Sequence, residues 1–443
     1  MTLLQKKFAI GIIVIIALLI LVYSLVPKEA WGTSYSQLPQ VLVDTILLGN
    51  LYFLIAIGIT MTFSVAKFAN FAHGDVATVG AYAAYLLYNF AIVNGAVNGI
   101  VQPIFITGVV IGAVLSYFGK IKRNSTFLML GVAILISAAI LGIGTYVLPQ
   151  NLILIAAEAL IVSAIISLLS HILVYKPLSN KGATLVQLMV ASIGVALIIR
   201  YSLYEMTWYS RQFLKTEIAY QSFGVQLSNF QAWIMNGTLL IAKPSLTETS
   251  EFIPAIEISP TGIAFKKLDA FEVLFNFPQP LISFTDLYIW SSATVLATVI
   301  LLTLMFKKTK IGKAWRAVAN NPVLAAACGI DIDSVVNLAW LVAGALAGLG
   351  GLFWAMQTQI YPELGWMILL NAFAVAVLGG LGSFWGTFAA SYILAFAEQF
   401  GVTLLASIDP QYTGYRFLIP FTVFLLVLYL KPEGLAGLKT RKA

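Results

Sequence analysis

The sequence predicts an all-α polytopic membrane protein with about eleven or twelve transmembrane helices and a small, partly β-structured extracellular insertion. Of its 443 residues, 60% are hydrophobic and only 10% are charged, which lies far outside the usual range of soluble domains. Apolar runs of about twenty residues recur along the whole chain, and each is long enough to cross a bilayer. These observations exclude one large soluble core and indicate a chain folded in the membrane.

The predicted spans share an apolar centre and polar or charged flanks. They lie near residues 8–26, 44–64, 74–94, 100–118, 126–147, 151–174, 183–204, 286–306, 335–356, 366–382, 384–407 and 415–430. The pair around Gly379 to Gly386 admits a second interpretation, a broken or re-entrant pair of helices. Residues 8–26 could be interpreted as a signal peptide. No small-residue cleavage pattern follows them, so an uncleaved anchor is favoured.

The basic residues predict the orientation in the membrane. With the amino terminus inside, seventeen of the 25 Lys and Arg residues fall on the cytoplasmic side, as the positive-inside rule requires. Residues 1–204 then form an N-terminal transmembrane part, 205–285 an extracellular insertion, and 286–443 a C-terminal transmembrane part with a cytoplasmic loop at 307–333. This loop bias accounts for the net charge of +7, so no nucleic-acid partner is expected.

The insertion interrupts the series of apolar, span-length segments along the chain. Prolines recur along it, and short alternating apolar runs at Ile253–Ile258 and Gly262–Phe265 are typical of small strands separated by turns. We therefore expect an ordered, partly β-structured appendage between residues 205 and 285.

Four ionisable residues within predicted spans are candidates for chemistry, since each costs about 2.5–3.5 kcal/mol at mid-membrane. His171 is expected at an interface near the end of its span, and the Arg200 side chain is expected to snorkel outward. Glu158 and Glu398 are then the deeper pair. A structural or interfacial role is favoured for each carboxylate, and the alternative is a secondary carrier that couples transport to a proton or sodium gradient.

The residues needed for soluble enzyme chemistry are scarce. The chain has two histidines and one cysteine, which leaves no cluster with zinc-ligand spacing. It contains neither a nucleophile elbow nor a phosphate-binding loop of the Gly-x-x-x-x-Gly-Lys-Ser/Thr type. We expect no enzyme activity, no cofactor and no bound metal, and any ATP-driven process would need a separate ATPase subunit.

The loop after the span at 286–306 is predicted to form a compact knob. Ala314 to Ala319 is alanine-rich and favours helix. Asn321 is suited to cap a second helix, Pro322 is tolerated in its first turn, and Gly329 is expected at its end. The alternative is an ordinary solvated basic loop, because charge beside a span needs no partner.

Five separated segments carry motifs that are weak alone and specific as an ordered series. They are Asn70–Asp75 with Gly80–Tyr82, Tyr175–Leu178 with Ala191–Val195, the loop from Gly312 to Ile330, Gly379–Gly386, and Leu430–Leu435. In this order they resemble the membrane subunits of ABC importers for branched-chain amino acids, the Liv-type permeases, whose relatives handle urea and short amides. The spans between Asn94 and Pro149, the amino-terminal span and the insertion have no evident counterpart.

The resemblance implies a multi-pass permease subunit in the plasma membrane, part of an ATP-driven importer for branched-chain amino acids. Urea, short amides or other small solutes are alternative cargoes, and a carrier or a non-transporting receptor are alternative classes. The implied partners are cytoplasmic ATP-binding subunits, a second permease subunit that is homologous or identical, an extracellular solute-binding protein and the lipid bilayer.

The same resemblance assigns roles to two groups of residues. The loop residues matching the family pattern would couple the permease to the ATPase: Gly312, Ala314, Arg316, Ala317, Asn321, Pro322 and Gly329. A polar group at the start of the span at 74–94 is the candidate gate or lining: Asn70, His73, Gly74 and Asp75. The alternative for this second group is that it ties helix ends together and allows a close backbone contact at the glycine.

Overall fold

The computed structural model describes residues 36–90, 98–122, 124–146, 150–213, 215–225, 227–235, 238–243, 252–259, 262–269, 280–430 and 434–435. The predicted span at 8–26 and most of the carboxyl tail lie outside the described residues. The helices in the first half of the chain are long and apolar. They are α1 (Leu38–Ala66), α2 (His73–Phe90), α3 (Asn98–Ile121), α4 (Ser125–Tyr146), α5 (Leu152–Ser170), the short α6 (Lys176–Asn180) and α7 (Leu185–Phe213). A π-helical turn, His171–Tyr175, continues α5 into α6.

The second half contains two short helices between long ones. Its helices are α8 (Asp286–Lys308), α9 (Lys310–Asn320), α10 (Pro322–Ala327), α11 (Ile332–Gln357), α12 (Leu364–Gly379), α13 (Phe384–Ile408) and α14 (Leu418–Leu430), with a 3-10 helix at Pro410–Phe417.

Each predicted span that falls on described residues corresponds to one of these helices. Eight helical segments are long and apolar enough to cross a membrane, and α12 and the Ile106–Ile121 part of α3 are shorter apolar helices. With 16 residues, α12 is shorter than the about 20 residues that a perpendicular span needs. A turn with positive φ at Gly380 and Gly382 joins α12 to α13. The prediction of a helical, multi-pass membrane protein is confirmed.

The insertion contains a five-stranded antiparallel sheet. Its strands are β1 (Asn229–Met235), β2 (Thr238–Ala242), β3 (Phe252–Ser259), β4 (Gly262–Asp269) and β5 (Ile282–Thr285), in the order β4-β3-β2-β1-β5. The two runs that predicted strands lie in β3 and β4. The Gln40 side chain of α1 bonds both backbone groups of Ser283 on the edge strand β5, so the sheet is fastened to a long helix.

Helix α7 continues to Phe213, beyond the predicted boundary at residue 204. Leu203, Thr207 and Ser210 are buried at helical spacing there, so one face of the extension is packed against the protein.

The described chain forms two compact units. The first contains the described residues within Met1–Asn50, Val225–Thr294 and Ser391–Pro432, and the second those within Leu51–Gly224, Val295–Ala390 and Glu433–Ala443. In the first unit, Asn50 donates to the hydroxyls of Ser291 and Ser292 and accepts from the Tyr392 hydroxyl. A buried asparagine therefore links α1, α8 and α13 through its side chain.

The second unit is built around α2, which contacts α5, α11 and α12. The crossing of α2, α5 and α11 is close because small residues meet there. A Cβ at Gly80 would meet the Ser163 hydroxyl and the Cα of Gly348, and the Ser163 hydroxyl donates to the Val76 carbonyl at 3.0 Å. Small residues with hydroxyl hydrogen bonds are the usual means of close helix association in membranes.

Candidate functional site: a buried polar cluster and the α9–α10 knob

Asn70 directly precedes the turn that leads into α2 and is buried, with 2% of its surface exposed. Its side-chain oxygen accepts hydrogen bonds from the Ala72 amide and from the Tyr175 hydroxyl, both at 3.1 Å. Tyr175 itself stacks on Trp340 of α11 with ring centroids 5.0 Å apart. Asn70 thus caps the entry into α2 and joins it to the end of α5 and to α11.

His73 is fully buried at the start of α2. Its Nε2 lies 3.0 Å from the carbonyl oxygen of Ile55 on α1. The ring packs on Gly58, where a Cβ would meet its Cε1 and Nε2 atoms at 2.5 Å. The Nδ1 atom has no hydrogen-bond partner among the described residues. His73 therefore provides a direct contact between α1 and α2.

Gly74 and Gly365 bring α2 and α12 into backbone contact. A Cβ at either glycine would collide with the carbonyl group of the other. The Gly365 amide also donates to the Thr78 hydroxyl at 2.8 Å. Glycine is needed at both positions because no side chain fits between the two helices.

Asp75 and Arg200 form a buried, bidentate ion pair between α2 and α7. Arg200 Nε lies 2.9 Å from Asp75 Oδ1, and Nη2 lies 3.0 Å from Oδ2. The Asp75 side chain is fully buried and that of Arg200 is 12% exposed. The guanidinium also lies over the Trp366 ring, 4.6 Å from its centroid. Both charges are satisfied by this planar pairing and by the cation-π contact.

The four residues of the sequence-predicted cluster therefore connect α2 to four neighbours. Asn70 joins α2 to α5, His73 to α1, Gly74 to α12 and Asp75 to α7. Each of them contacts a different helix rather than a shared pocket. Contacts of this kind would tie helix ends together, and the gate or lining role of these residues stays a prediction.

The other ionisable residues expected in spans have local partners. The expectation for Arg200 was wrong, because the buried Asp75 holds its guanidinium. His171 is 8% exposed and stacks on Trp340, with ring centroids 5.3 Å apart, and its expected interfacial position stays a prediction. Glu398 pairs with Arg416 at 2.5 Å within the first unit. Glu158, in the second unit, accepts from the Ser137 hydroxyl at 2.8 Å.

Helices α9 and α10 form the predicted knob. The Thr309 hydroxyl caps α9 by accepting from the Gly312 amide at 3.0 Å. Asn321 caps α10 by accepting from the Leu324 amide at 3.0 Å, with Pro322 in the first turn and Gly329 following at φ +80°. Asp331 then caps α11, and the hydrogen bond from the Ser334 hydroxyl holds the pKa of that carboxyl below its ordinary value. The two-helix form with an asparagine cap is confirmed.

The knob is anchored to the ends of α1 and α8. Trp315 is 2% exposed, donates to the Ser64 hydroxyl at 3.0 Å and packs edge-on against Phe306, with ring centroids 5.5 Å apart. Lys67, just after α1, donates to the Ala319 carbonyl at the end of α9 at 2.8 Å. A displacement of α9 would therefore move the end of α1 with it.

The outer side of the knob presents apolar side chains that the sequence interpretation missed. Val323 and Leu324 in the first turn of α10 are 79% and 61% exposed. Arg316 is exposed, and Ala314 and Ala317 are half-buried. The signal that identifies Val323 and Leu324 is their position: two large apolar residues follow a helix break in a loop too basic to enter lipid.

Over the described ranges, no group of three or more His, Cys, Asp or Glu side chains is arranged to hold a metal ion. The fold and these sites define a multi-pass membrane protein with a two-helix knob fastened to its span ends. Residues 124–428 match the family model described as branched-chain amino acid transport system / permease component, and the chain belongs to that family. The matched range takes in α4, one of the two helices for which the sequence suggested no counterpart.

Relatives with assigned names span nearly the whole chain. The probable branched-chain amino acid transport permease protein LivH of Methanocaldococcus jannaschii is 24% identical over 404 residues, covering 91% of this chain and 94% of the relative. The high-affinity branched-chain amino acid transport system permease protein LivH of Escherichia coli K12 is 23% identical over 401 residues, covering 90% and 95%.

A shorter match has a different name. The nucleoside ABC transporter permease protein NupB of Lactococcus lactis subsp. cremoris is 37% identical over 84 residues, covering 18% of this chain and 23% of that protein. No solved structure matches the chain.

Proposed function

We propose that this chain is a permease subunit of an ATP-driven importer, and that the α9–α10 knob is the docking surface for an ATP-binding subunit on the cytoplasmic side. The observation that supports this most directly is the pair Val323 and Leu324, exposed on α10 while Trp315 buries the opposite side of the knob. Exposed apolar side chains with a polar surround mark protein interaction surfaces. The basic residues of the same loop support a cytoplasmic position, as the positive-inside rule predicts.

A path of direct contacts leads from the knob to the buried cluster. Trp315 bonds Ser64 at the end of α1, and α1 meets His73 of α2 at Ile55 and Gly58. Asp75, two residues further on, holds Arg200 of α7. Movement of the knob by a nucleotide-dependent partner would thus be passed through α1 to α2 and α7. Nucleotide would shift the transporter between two states to the extent that it binds them differently.

Branched-chain amino acids are the cargo that the family supports, since the relatives matching along most of the chain carry that name. The shorter match to a nucleoside permease makes nucleosides, with urea and short amides, the competitors to include in any transport assay. A second permease subunit, identical or homologous, and an extracellular solute-binding protein complete the proposed assembly, with Asn70, His73, Gly74 and Asp75 positioning its moving helices.

A carrier driven by an ion gradient is less well supported. It would use Glu158 and Glu398 as proton or sodium sites, yet Glu398 is neutralised by Arg416 at 2.5 Å and Glu158 is hydrogen-bonded to Ser137. The ion-paired Glu398 fits a structural role better than a mobile ion site. Glu158, whose Oε2 is buried without a partner among the described residues, is then the single carboxylate left for such a carrier.

The test is affinity purification of the tagged chain from its source cells, followed by reconstitution in liposomes. We expect an ATP-binding subunit to co-purify. Uptake of labelled leucine should require ATP in the liposome lumen and the solute-binding protein outside. Unlabelled valine or isoleucine should compete, whereas uridine and urea should not. Uptake by the chain alone under an imposed proton or sodium gradient, with no ATPase retained, would contradict the proposal.

A further inference from the structure

A cavity of about 380 Å³ lies beside the knob, within the second unit. The ends of α1 and α8, the inner side of α9 and the turn between α12 and α13 line it. Ala66 and Lys308 are the last residues of two helices long and apolar enough to span the membrane. The cavity therefore lies at the level where hydrocarbon gives way to headgroups and water.

Three basic side chains converge on this cavity. Lys67, Lys307 and Arg316 all line it and are exposed. In the part of the chain that the structure describes, none of them belongs to an ion pair. Lys67 makes a hydrogen bond to a carbonyl, which leaves its charge uncompensated. No Asp or Glu lines the cavity among the described residues, so the cavity is suited to an anion.

The remaining wall is apolar and aromatic. Trp315, Phe306, Phe384 and Trp385 contribute to it, and Trp385 is 54% exposed. Tryptophan is enriched at the membrane interface because its ring is amphipathic. A free inorganic anion would use the basic side chains and leave this wall unoccupied, whereas an anionic molecule with an acyl chain would use both.

The backbone also shows that Lys67 is held in place. Its φ is +60°, in the left-handed region that non-glycine residues rarely adopt. Such a conformation persists where the surrounding structure fixes it, and it occurs often at binding sites. Here it directs the chain out of α1 so that Lys67 reaches the end of α9.

From these observations we propose that the cavity binds an anionic phospholipid, with its phosphate between Lys67, Lys307 and Arg316 and its acyl chain against the aromatic wall. Clusters of basic residues next to a span are suited to anionic headgroups. The bound lipid fills the space between the span ends and α9 and stabilises the knob in its observed position. This site does not depend on the knob's role as an ATPase docking surface.

Two adjacent lysines provide a matched pair of variants. Lys307 lines the cavity and Lys308 does not, although both are exposed and lie in the last turn of α8. The full chain, purified in an uncharged detergent, is titrated with phosphatidylglycerol or with phosphatidylcholine of the same acyl chains, and bound lipid is counted by native mass spectrometry. We expect preference for phosphatidylglycerol, lowered about five-fold by Lys307→Gln, as removal of one basic contact implies, and unchanged by Lys308→Gln.

Further arms identify the ligand class. Lys67→Gln should weaken phosphatidylglycerol binding while Lys67→Arg retains it, and this pair replaces the first should Lys307→Gln fail to fold. Glycerol 3-phosphate, which has the anion without the acyl chain, should not displace the lipid. Three results would overturn the proposal. Lys307→Gln and Lys308→Gln could change phosphatidylglycerol binding equally, neither Lys307→Gln nor Lys67→Gln could weaken it, or glycerol 3-phosphate could displace the lipid. Both Lys307→Gln and Lys308→Gln should retain the ATP-binding subunit equally well. A failure of lipid binding can therefore be told apart from a failure of ATPase docking.

Discussion

The indole N–H of Trp315 donates a 3.0 Å hydrogen bond to the hydroxyl of Ser64, which joins the knob to the last turn of α1. Trp315 is 2% exposed, the bond is partly buried, and the Ser64 hydroxyl in turn donates to the Met61 carbonyl. The knob is therefore bonded to a long apolar helix rather than suspended from a flexible loop.

Breaking this bond should weaken the coupling between ATP hydrolysis and uptake, with only a small loss of stability. Trp315→Phe keeps an aromatic ring against Phe306 but removes the donor, at a cost of about 1 kcal/mol in the free energy of unfolding. We expect uptake per ATP hydrolysed to fall in reconstituted transporters while ATPase retention is preserved. Ser64→Ala should produce the same loss, and the double variant should lose no more than either single one. Additive losses would show that the two residues act separately.

Replacing only one partner of the Asp75–Arg200 pair should lower the free energy of unfolding strongly. Arg200→Met leaves a buried carboxylate without its partner, which destabilises by about 3–5 kcal/mol. Adding Asp75→Leu removes the orphaned charge, so the double variant should be more stable than Arg200→Met alone. Thermal unfolding in detergent measures both. A double variant less stable than the single one would show that the ion pair is not the main contact of these side chains.

The contact between Gly74 and Gly365 predicts a position-specific effect of one methyl group. Gly365→Ala should destabilise by about 1–3 kcal/mol, because its Cβ would collide with the Gly74 carbonyl and force α2 and α12 apart. Gly194→Ala is the matched control, since a Cβ there meets nothing within 4 Å and alanine favours helix by about 1 kcal/mol. Equal melting temperatures for the two variants would contradict the described packing.

The single cysteine reports the orientation of the knob. Cys328 directly follows α10 and is exposed, so a membrane-impermeant maleimide should label it in permeabilised cells but not in intact ones. Phe265→Cys in a Cys328→Ser background places the thiol on β4, where Phe265 is 84% exposed, and it should label in intact cells. Labelling of Cys328 from outside would invert the proposed topology.

Much of the fold follows from sequence because apolar length and helix caps are local signals. The spans, the Asn321 cap and the strands at β3 and β4 depend only on neighbouring residues. The partner of Arg200 could not be predicted in this way, since Asp75 is distant in sequence and adjacent only after α2 and α7 pack. The burial of His171 against Trp340 and the extension of α7 to Phe213 depend on tertiary contacts for the same reason.

The sequence identified residues of the candidate site but did not predict which helices they contact. The sequence singled out Asn70 to Asp75, whereas only the structure shows that each residue meets a different helix. It also pointed to the charged and small residues of the knob, while the exposed side chains are those of Val323 and Leu324. Motif matching finds residues that recur at a fixed spacing. An interaction surface is recognised instead by the exposure of its side chains, which only the structure gives.

Retention of the ATP-binding subunit by knob variants tests the central claim most directly. Val323→Glu with Leu324→Glu places two charges on α10 without disturbing buried contacts, and desolvating them at an interface would oppose docking. Ile263→Glu with Phe265→Glu is the matched control, with the same charge change on side chains of β4 that are 69% and 84% exposed. We predict that the first variant reaches the membrane at normal levels and loses the co-purifying ATPase, while the control retains it. Equal retention of the ATPase by both variants would contradict docking through the knob.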